Sequence, residues 1–191
     1  MTGTLTVEQI VSADGYAEGP AGSGDLAFFE AADFGEEART DSDQMRWLGS
    51  VDAILLGRRT YEMFAGYWPT ADPAVDAVAG PISRLPKHVI SSTLERAPWG
   101  EGEIEVVRGD AVGVARALKS RCASTVVWGS LTLTDALLAA GEVDVLRLRM
   151  VPVLLGGGRS FAPAGLGERR LRADDVLAHP SGHVTLTYLL A

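Results

Sequence analysis

The chain has 191 residues, 47% of them apolar and 22% charged, so disorder is excluded and a single domain over residues 1–191 can build its own core without a metal or disulfide staple. A net charge of −8 argues against nucleic-acid binding through a broad basic face and confines any anionic ligand to places where positive charge is gathered locally. The lone Cys122 excludes an internal disulfide, no basic residue precedes Arg39, and no apolar run approaches the ~20 residues that cross a bilayer; the expectation is a soluble, cytoplasmic chain without a membrane partner.

In chain order, Leu5–Ser12 reads as a strand with imperfect alternation. Asp14-Gly15 and the Gly19–Gly24 stretch form a flexible loop. Asp25–Trp47 is polar and helix-compatible, with Phe28, Phe29, Ala32, Met45 and Leu48 available for a buried stripe. Ala53–Leu56, closed by Gly57, suits a strand buried on both faces, and a short helix runs over Thr60–Gly66. Residues 67–86 read as loop with one helical turn. His88–Ser91 and Ile104–Val107 are short strands. Asp110 caps a helix to about Arg121, with Val112, Ala115 and Leu118 inward. Thr125–Trp128 is a further apolar strand. Ser130 is a cap for the next helix, and Gly141 is its stop. Val143–Val151 alternates cleanly, and Leu171–Leu190 reads as an antiparallel hairpin turning at Pro180-Ser181-Gly182. Strands alternating with helices, then a hairpin, give a mostly parallel α/β sheet covered by helices with an antiparallel edge.

Sheets of this class bind ligands at the carboxyl ends of their strands. Three such ends carry suitable residues. Leu56-Gly57-Arg58-Arg59-Thr60 joins a helix start to two forked cations, which suits a phosphate. It also suits a surface loop with two solvated arginines. Ser91-Ser92-Thr93 offers three hydroxyls for a phosphate, or for turn and cap chemistry. Trp128-Gly129-Ser130-Leu131 is a second glycine-to-helix junction, equally readable as a tight turn with a serine cap. Three phosphate-compatible ends in one sheet suit a ligand with several phosphates, such as a dinucleotide.

Other patterns carry less. No P-loop signature occurs. Gly22, Gly24 and Ala27 match G-x-G-x-x-A, but they lie about ten residues beyond the strand and Asp25 repels phosphate. Pro180 and Gly182 preclude a helix that would align His179 with His183 for a metal, and no Gly-x-Ser-x-Gly elbow is present.

The ordered set of segments resembles the dihydrofolate-reductase-like superfamily. It is nearest the group related to the C-terminal reductase domain of the bifunctional riboflavin-biosynthesis deaminase/reductase. The segments are Ser12-Ala13-Asp14-Gly15-Tyr16, Leu55-Leu56-Gly57-Arg58-Arg59-Thr60-Tyr61-Glu62, Val89-Ile90-Ser91-Ser92-Thr93-Leu94 and Val127-Trp128-Gly129-Ser130. Leu137-Leu138, Gly141-Glu142-Val143-Asp144 and Pro152-Val153-Leu154-Leu155-Gly156-Gly157-Gly158 complete the set. The resemblance implies a three-layer dihydrofolate-reductase-like fold and NADPH as cofactor. It implies that Arg58 holds the 2′-phosphate with help from Ser91 and Ser92. Arg59, Thr60, Gly129 and Ser130 then serve the pyrophosphate, with Gly57 and Leu131 beside them. Related proteins are commonly dimers, which implies a homodimer with the strand Val143–Val151 near its interface.

Two departures stand out. The riboflavin reductases carry Val-Glu-Gly-Gly where this chain has Val127-Trp128-Gly129-Ser130, and their Asp-Asn-Pro-type substrate segment has no counterpart here. The implied activity is hydride transfer from NADPH to a C=N or C=O bond of a pyrimidine- or pteridine-like small molecule, as in 5-amino-6-(5-phosphoribosylamino)uracil reductase. The alternatives are a dihydrofolate-type reductase and a catalytically silent NADPH-binding module. Candidate proton donors are Asp14, Asp25 or ordered water. For Asp14, plain Asp-Gly turn chemistry is the competing reading. Tyr61 and Trp68 are candidates to stack on a planar substrate, with burial in the core as their alternative.

Overall fold

Apolar runs too short for a helix become strands when both of their faces can be covered. The computed structural model, which describes residues 2–22, 24–31 and 42–190, builds β1 (Thr4–Ser12), β2 (Tyr16–Glu18), α1 (Ala27–Ala31), α2 (Ser42–Leu48), β3 (Ala53–Gly57), α3 (Arg58–Ala65) and α4 (Ala79–Arg84). There follow β4 (Lys87–Ile90), β5 (Pro98–Trp99), β6 (Gly102–Glu103), β7 (Glu105–Val107), α5 (Ala111–Lys119), β8 (Ser124–Trp128), α6 (Leu131–Ala139), β9 (Val145–Val151), β10 (Arg159–Ser160), β11 (Leu171–Ala178) and β12 (Val184–Leu190). Residues 32–41 of the expected 25–47 helix, Ala32 included, lie outside the described residues.

Eight strands form one sheet in the order β11-β12-β9-β1-β8-β3-β4-β7. Neighbours from β9 to β7 pair in parallel, and only β12 runs against them, between β9 and β11. The expected hairpin is therefore the antiparallel flank of a mostly parallel sheet. The strand Val145–Val151 is paired on both sides, so it has no free edge.

Two cores sandwich the sheet. On one face, Val114, Ala115 and Leu118 of α5 and Leu131, Leu133, Leu137 and Leu138 of α6 cover Leu5, Val7, Leu55 and Val127. On the other, Leu48 of α2, Tyr61 of α3 and Ile82 of α4 cover Ile54, Leu56, Val89, Val126 and Trp128. Being central explains the imperfect alternation of β1: Thr6 and Glu8 on its second face are as buried as Leu5 and Val7 on its first.

Local chemistry follows the sequence in most places. The Gly113 amide donates to Asp110 at 2.8 Å, the cap expected for α5. Val114, rather than Val112, completes its buried stripe. Within 67–86 the single helical piece is α4, with Pro81 in its first turn, where no intrahelical N–H is required. Among the described residues no helix is long and apolar enough to cross a membrane.

Candidate functional site

Six parallel strands put six carboxyl ends on one rim of the sheet. Read along it from β7 to β9, the ends present Arg108, Ser91, Gly57-Arg58, Gly129-Ser130, Asp14 and the Pro152–Gly156 segment. At about 4.8 Å per strand the row is roughly 24 Å long. The chain runs outward through β3, β4 and β7, then returns to β8 on the other side of β3. Accordingly α3 leaves β3 toward one face while α6 leaves β8 toward the other. Such a reversal opens a crevice between the two strand ends, the place where α/β sheets receive ligands.

The floor of this crevice is tied shut by hydroxyls. The Gly57 amide donates to Ser130 Oγ at 2.8 Å, and the Ser130 amide donates to Thr60 Oγ1 at 2.9 Å. The two hydroxyl oxygens are themselves 2.9 Å apart. A Cβ on Gly57 would stand 3.2 Å from Ser130 Oγ, and one on Gly129 3.2 Å from Thr60 Oγ1. Side chains at either position would crowd the two helix starts, and Gly129 also has a φ of 53°, which favours glycine. Ser130 begins α6 in a left-handed conformation with no side-chain cap bond, since its hydroxyl reaches across to Gly57 and Thr60. Its expected capping role is replaced by a link between strands that are far apart in sequence. Below it, Gln9 donates to the Gly129 carbonyl and to Thr134 Oγ1.

Toward β7 the rim turns cationic. Arg58 Nη1 donates to Thr93 Oγ1 at 2.9 Å and its Nε to Glu62 at 2.7 Å, with about half of the Arg58 side chain exposed. Ser91 Oγ accepts from the amides of Thr93 and Leu94, and Arg108 donates to the carbonyls of Ser91 and Leu94. Arg58, Ser91, Ser92, Thr93, Gly129 and Ser130 thus lie on three neighbouring strand ends. Arg108, which sequence reading passed over, stands on a fourth. Its only sequence signal was a basic residue directly after a strand.

Toward β9 the rim is held by Asp14. Its carboxylate accepts from Ser12 Oγ at 2.6 Å, from the Gly156 amide at 2.7 Å and from the Leu155 amide. The Ser12 hydroxyl, then the Gly156 and Leu155 amides, stabilise its charged form and bring its pKa down to about 2. A carboxyl in that range carries no proton at neutral pH. Asp25 accepts from the Ala21 and Ala27 amides, which fastens the Gly19–Gly22 turn to the start of α1. Between these parts lies a cleft of about 460 Å³ lined by Glu18, Gly19, Pro20, Gly22, Arg59, Gly158 and Arg159. Arg159 is paired with Asp135 of α6 at 2.7 Å.

The two aromatic candidates lie elsewhere. Tyr61 is buried in the core beneath α3, its hydroxyl donating to the Pro98 carbonyl at 2.8 Å, and burial pushes its pKa up. Trp68 is half-buried against the same core, edge-on to Phe64 and Tyr67. Trp128, the residue that departs from the riboflavin-reductase pattern, is buried and donates its indole N–H to Glu8 at 2.8 Å.

Sheet order, three layers and a glycine-lined crevice at the strand reversal define a dihydrofolate-reductase-like α/β protein. Residues 3–185 match the family described as the RibD C-terminal domain, and the chain belongs to that family. The sequence matches no curated protein. The chain is similar to a putative riboflavin biosynthesis protein from Shewanella sp. PV-4, with 19% identity and a TM-score of 0.76 over 100% of this chain and 99% of that one. Dihydrofolate reductase from Enterococcus faecalis, complexed with NADP(H) and RAB-propyl, aligns at 16% identity and a TM-score of 0.63 over 100% and 98% of the two chains. A diaminohydroxyphosphoribosylaminopyrimidine deaminase/5-amino-6-(5-phosphoribosylamino)uracil reductase from Thermotoga maritima aligns at 13% identity and a TM-score of 0.65, covering 100% of this chain and 57% of that one. At these identities the likeness is one of fold.

Proposed function

We propose that this protein is an NADPH-dependent oxidoreductase that reduces a C=N or C=O bond of a pyrimidine- or pteridine-like small molecule. The observation that carries the reading is the convergence of Arg58, the Ser91–Thr93 hydroxyls and the Gly57–Thr60–Gly129–Ser130 crevice on three adjoining strand ends. That donor set fits a phosphorylated dinucleotide: guanidinium groups for phosphates, two glycines where backbone lies close to the neighbouring helix start, and a rim long enough for an extended ligand. Arg58, Ser91 and Ser92 hold the 2′-phosphate in this reading. Gly57, Arg59, Thr60, Gly129, Ser130 and Leu131 flank the pyrophosphate.

When bound, the dinucleotide supplies the hydride. The chain's own work is orientation and the exclusion of water. Ionised Asp14 steadies the Leu155-Gly156 turn beside the β1 end, and Asp25 steadies the Gly19–Gly22 turn across the cleft. The Ser12, Leu155 and Gly156 hydrogen bonds hold Asp14 ionised, which leaves Asp25 or an ordered water as the proton donor in this reading. The same observation favours a second reading, an NADPH-binding module without turnover. The net charge of −8 favours a small-molecule partner over nucleic acid, and the resemblance to the related reductases is the ground for reading the chain as a cytoplasmic, single-domain homodimer without a membrane partner.

Thermal shift with NADPH and NADH tests cofactor binding, because a ligand at a hundredfold excess over its Kd stabilises by about 2.7 kcal/mol. Arg58→Ala is expected to lower NADPH affinity by about 1.5–3 kcal/mol, the worth of a hydrogen-bonded charge, and to spare NADH. Equal loss for both cofactors removes the 2′-phosphate assignment. NADPH oxidation across aminopyrimidines and dihydropteridines separates reductase from silent module: binding with no turnover leaves the second reading.

A further inference from the structure

Arg58 is a long, half-exposed side chain, and on its own it samples many rotamers. Its Nη1 is fixed by Thr93 Oγ1 at 2.9 Å. Thr93 sits in the turn after β4, and that turn is held from within and from without. Within, Ser91 Oγ accepts from the Thr93 amide at 3.3 Å and the Leu94 amide at 3.0 Å. From without, the two terminal nitrogens of Arg108 donate to the carbonyls of Ser91 and Leu94, the first and last residues of the turn. The Ser91 amide also donates to the Val107 carbonyl, next to Arg108. A planar fork that grips both ends of a four-residue turn fixes its shape, and an ammonium group has no such geometry.

Resting on the dinucleotide reading above, we propose that Arg108 is a positioning residue for NADPH selectivity: its guanidinium clamps the Ser91–Leu94 turn so that Thr93 aims Arg58 at the 2′-phosphate. The chain of contacts runs Arg108, turn, Thr93, Arg58. Arg108 adds a second positive charge to this part of the rim of an acidic protein, which further favours an anion there. Glu62 is the opposing influence, since its carboxylate holds Arg58 Nε.

Dissociation constants for NADPH and NADH, measured on the full chain, test this. Arg108→Ala is expected to weaken NADPH about tenfold, equivalent to about 1.4 kcal/mol, and to leave NADH within about twofold. Arg108→Lys restores less than half of the NADPH loss in free-energy terms. Thr93→Val, which leaves the clamp and the backbone in place, reproduces the selective loss if the contact chain is right. In an Arg58→Ala background Arg108→Ala adds little further loss of NADPH affinity, because the group it positions is gone. A preference for NADPH lost in Arg58→Ala but kept in Arg108→Ala and Thr93→Val overturns the positioning role alone. Equal weakening of both cofactors in Arg108→Ala, or full additivity with Arg58→Ala, also overturns it. A preference untouched in Arg58→Ala removes the 2′-phosphate assignment on which the proposal rests, and no binding of either cofactor to the unsubstituted chain overturns the dinucleotide reading itself.

Discussion

Two of the Arg–Glu ion pairs of this protein sit in opposite surroundings. Arg147 and Glu8 meet across β9 and β1 with 5% of each side chain exposed, whereas Arg58 and Glu62 meet on α3 with 50% and 47% exposed. The buried pair is closed on all sides. Glu8 also accepts from Gln44 at 3.0 Å and Trp128 at 2.8 Å, and Arg147 reaches Gln44 while lying over the Trp47 ring at 4.4 Å. Among the described residues the exposed pair has one outside side-chain partner, Thr93, and it faces water. Removing one member of a buried pair strands the other, while an exposed pair contributes little because water replaces the lost partner. The buried pair therefore organises packing, and the exposed one can be exchanged for a ligand's phosphate.

The largest effect tests the buried pair. Arg147→Ala or Glu8→Ala is expected to lower unfolding free energy by about 3–5 kcal/mol in urea titrations. Replacing both by apolar residues of similar volume, Glu8→Leu with Arg147→Met, is expected to recover part of that loss, because the buried Gln44 amide and the Trp128 indole N–H lose the partners they have here. A double variant as unstable as either single one breaks the contrast.

A second buried cation sharpens the comparison, because among the described residues it pairs with no carboxylate. Lys87 is 5% exposed, donates to the carbonyls of Ser83 and Leu85, and lies 4.5 Å from the centre of the Trp99 ring. Burial brings its pKa down from 10.5 to about 8. Below about pH 8 it is charged in both the folded and unfolded chain, and the burial penalty is fully felt. Between 8 and 10.5 the folded chain releases its proton first, so the unfolded chain binds more protons and stability climbs with pH. Lys87→Met is expected to flatten that climb in denaturation curves taken at stepped pH. An unchanged slope in the variant assigns the effect to other groups.

The smallest effect belongs to the exposed pair. Glu62→Gln is expected to change stability by less than about 1 kcal/mol and to tighten NADPH, because Arg58 no longer divides its charge between a carboxylate and the ligand. Weaker NADPH binding in this variant shows instead that Glu62 orients Arg58 productively.

Much of the rim was legible before any coordinates. Gly57-Arg58-Arg59-Thr60, Ser91-Ser92-Thr93 and Gly129-Ser130 each follow an apolar run, and each such run is a strand. The Asp110 cap was legible too, because capping is a contact between residues three apart. The use of the Ser130 hydroxyl was not, since its partners Gly57 and Thr60 lie 73 and 70 residues away. The small pairing of β2 with β10 escaped for the same reason: two- and three-residue strands have no period of their own. Tyr61 left two readings open, a stacking aromatic or a core residue, and the helix turn that exposes Arg58 and Arg59 rotates Tyr61 into the core.

Composition, periodicity and turn residues thus determined the element types, the mostly parallel sheet and which polar residues stand at strand ends, because each depends on neighbours within a turn or a strand. Strand order, the crevice between β3 and β8, the burial of Glu8 with Arg147 and the reach of Arg108 to the β4 turn were decided by tertiary structure alone. These depend on which face each crossover helix covers, a choice made by the packing of the whole sheet.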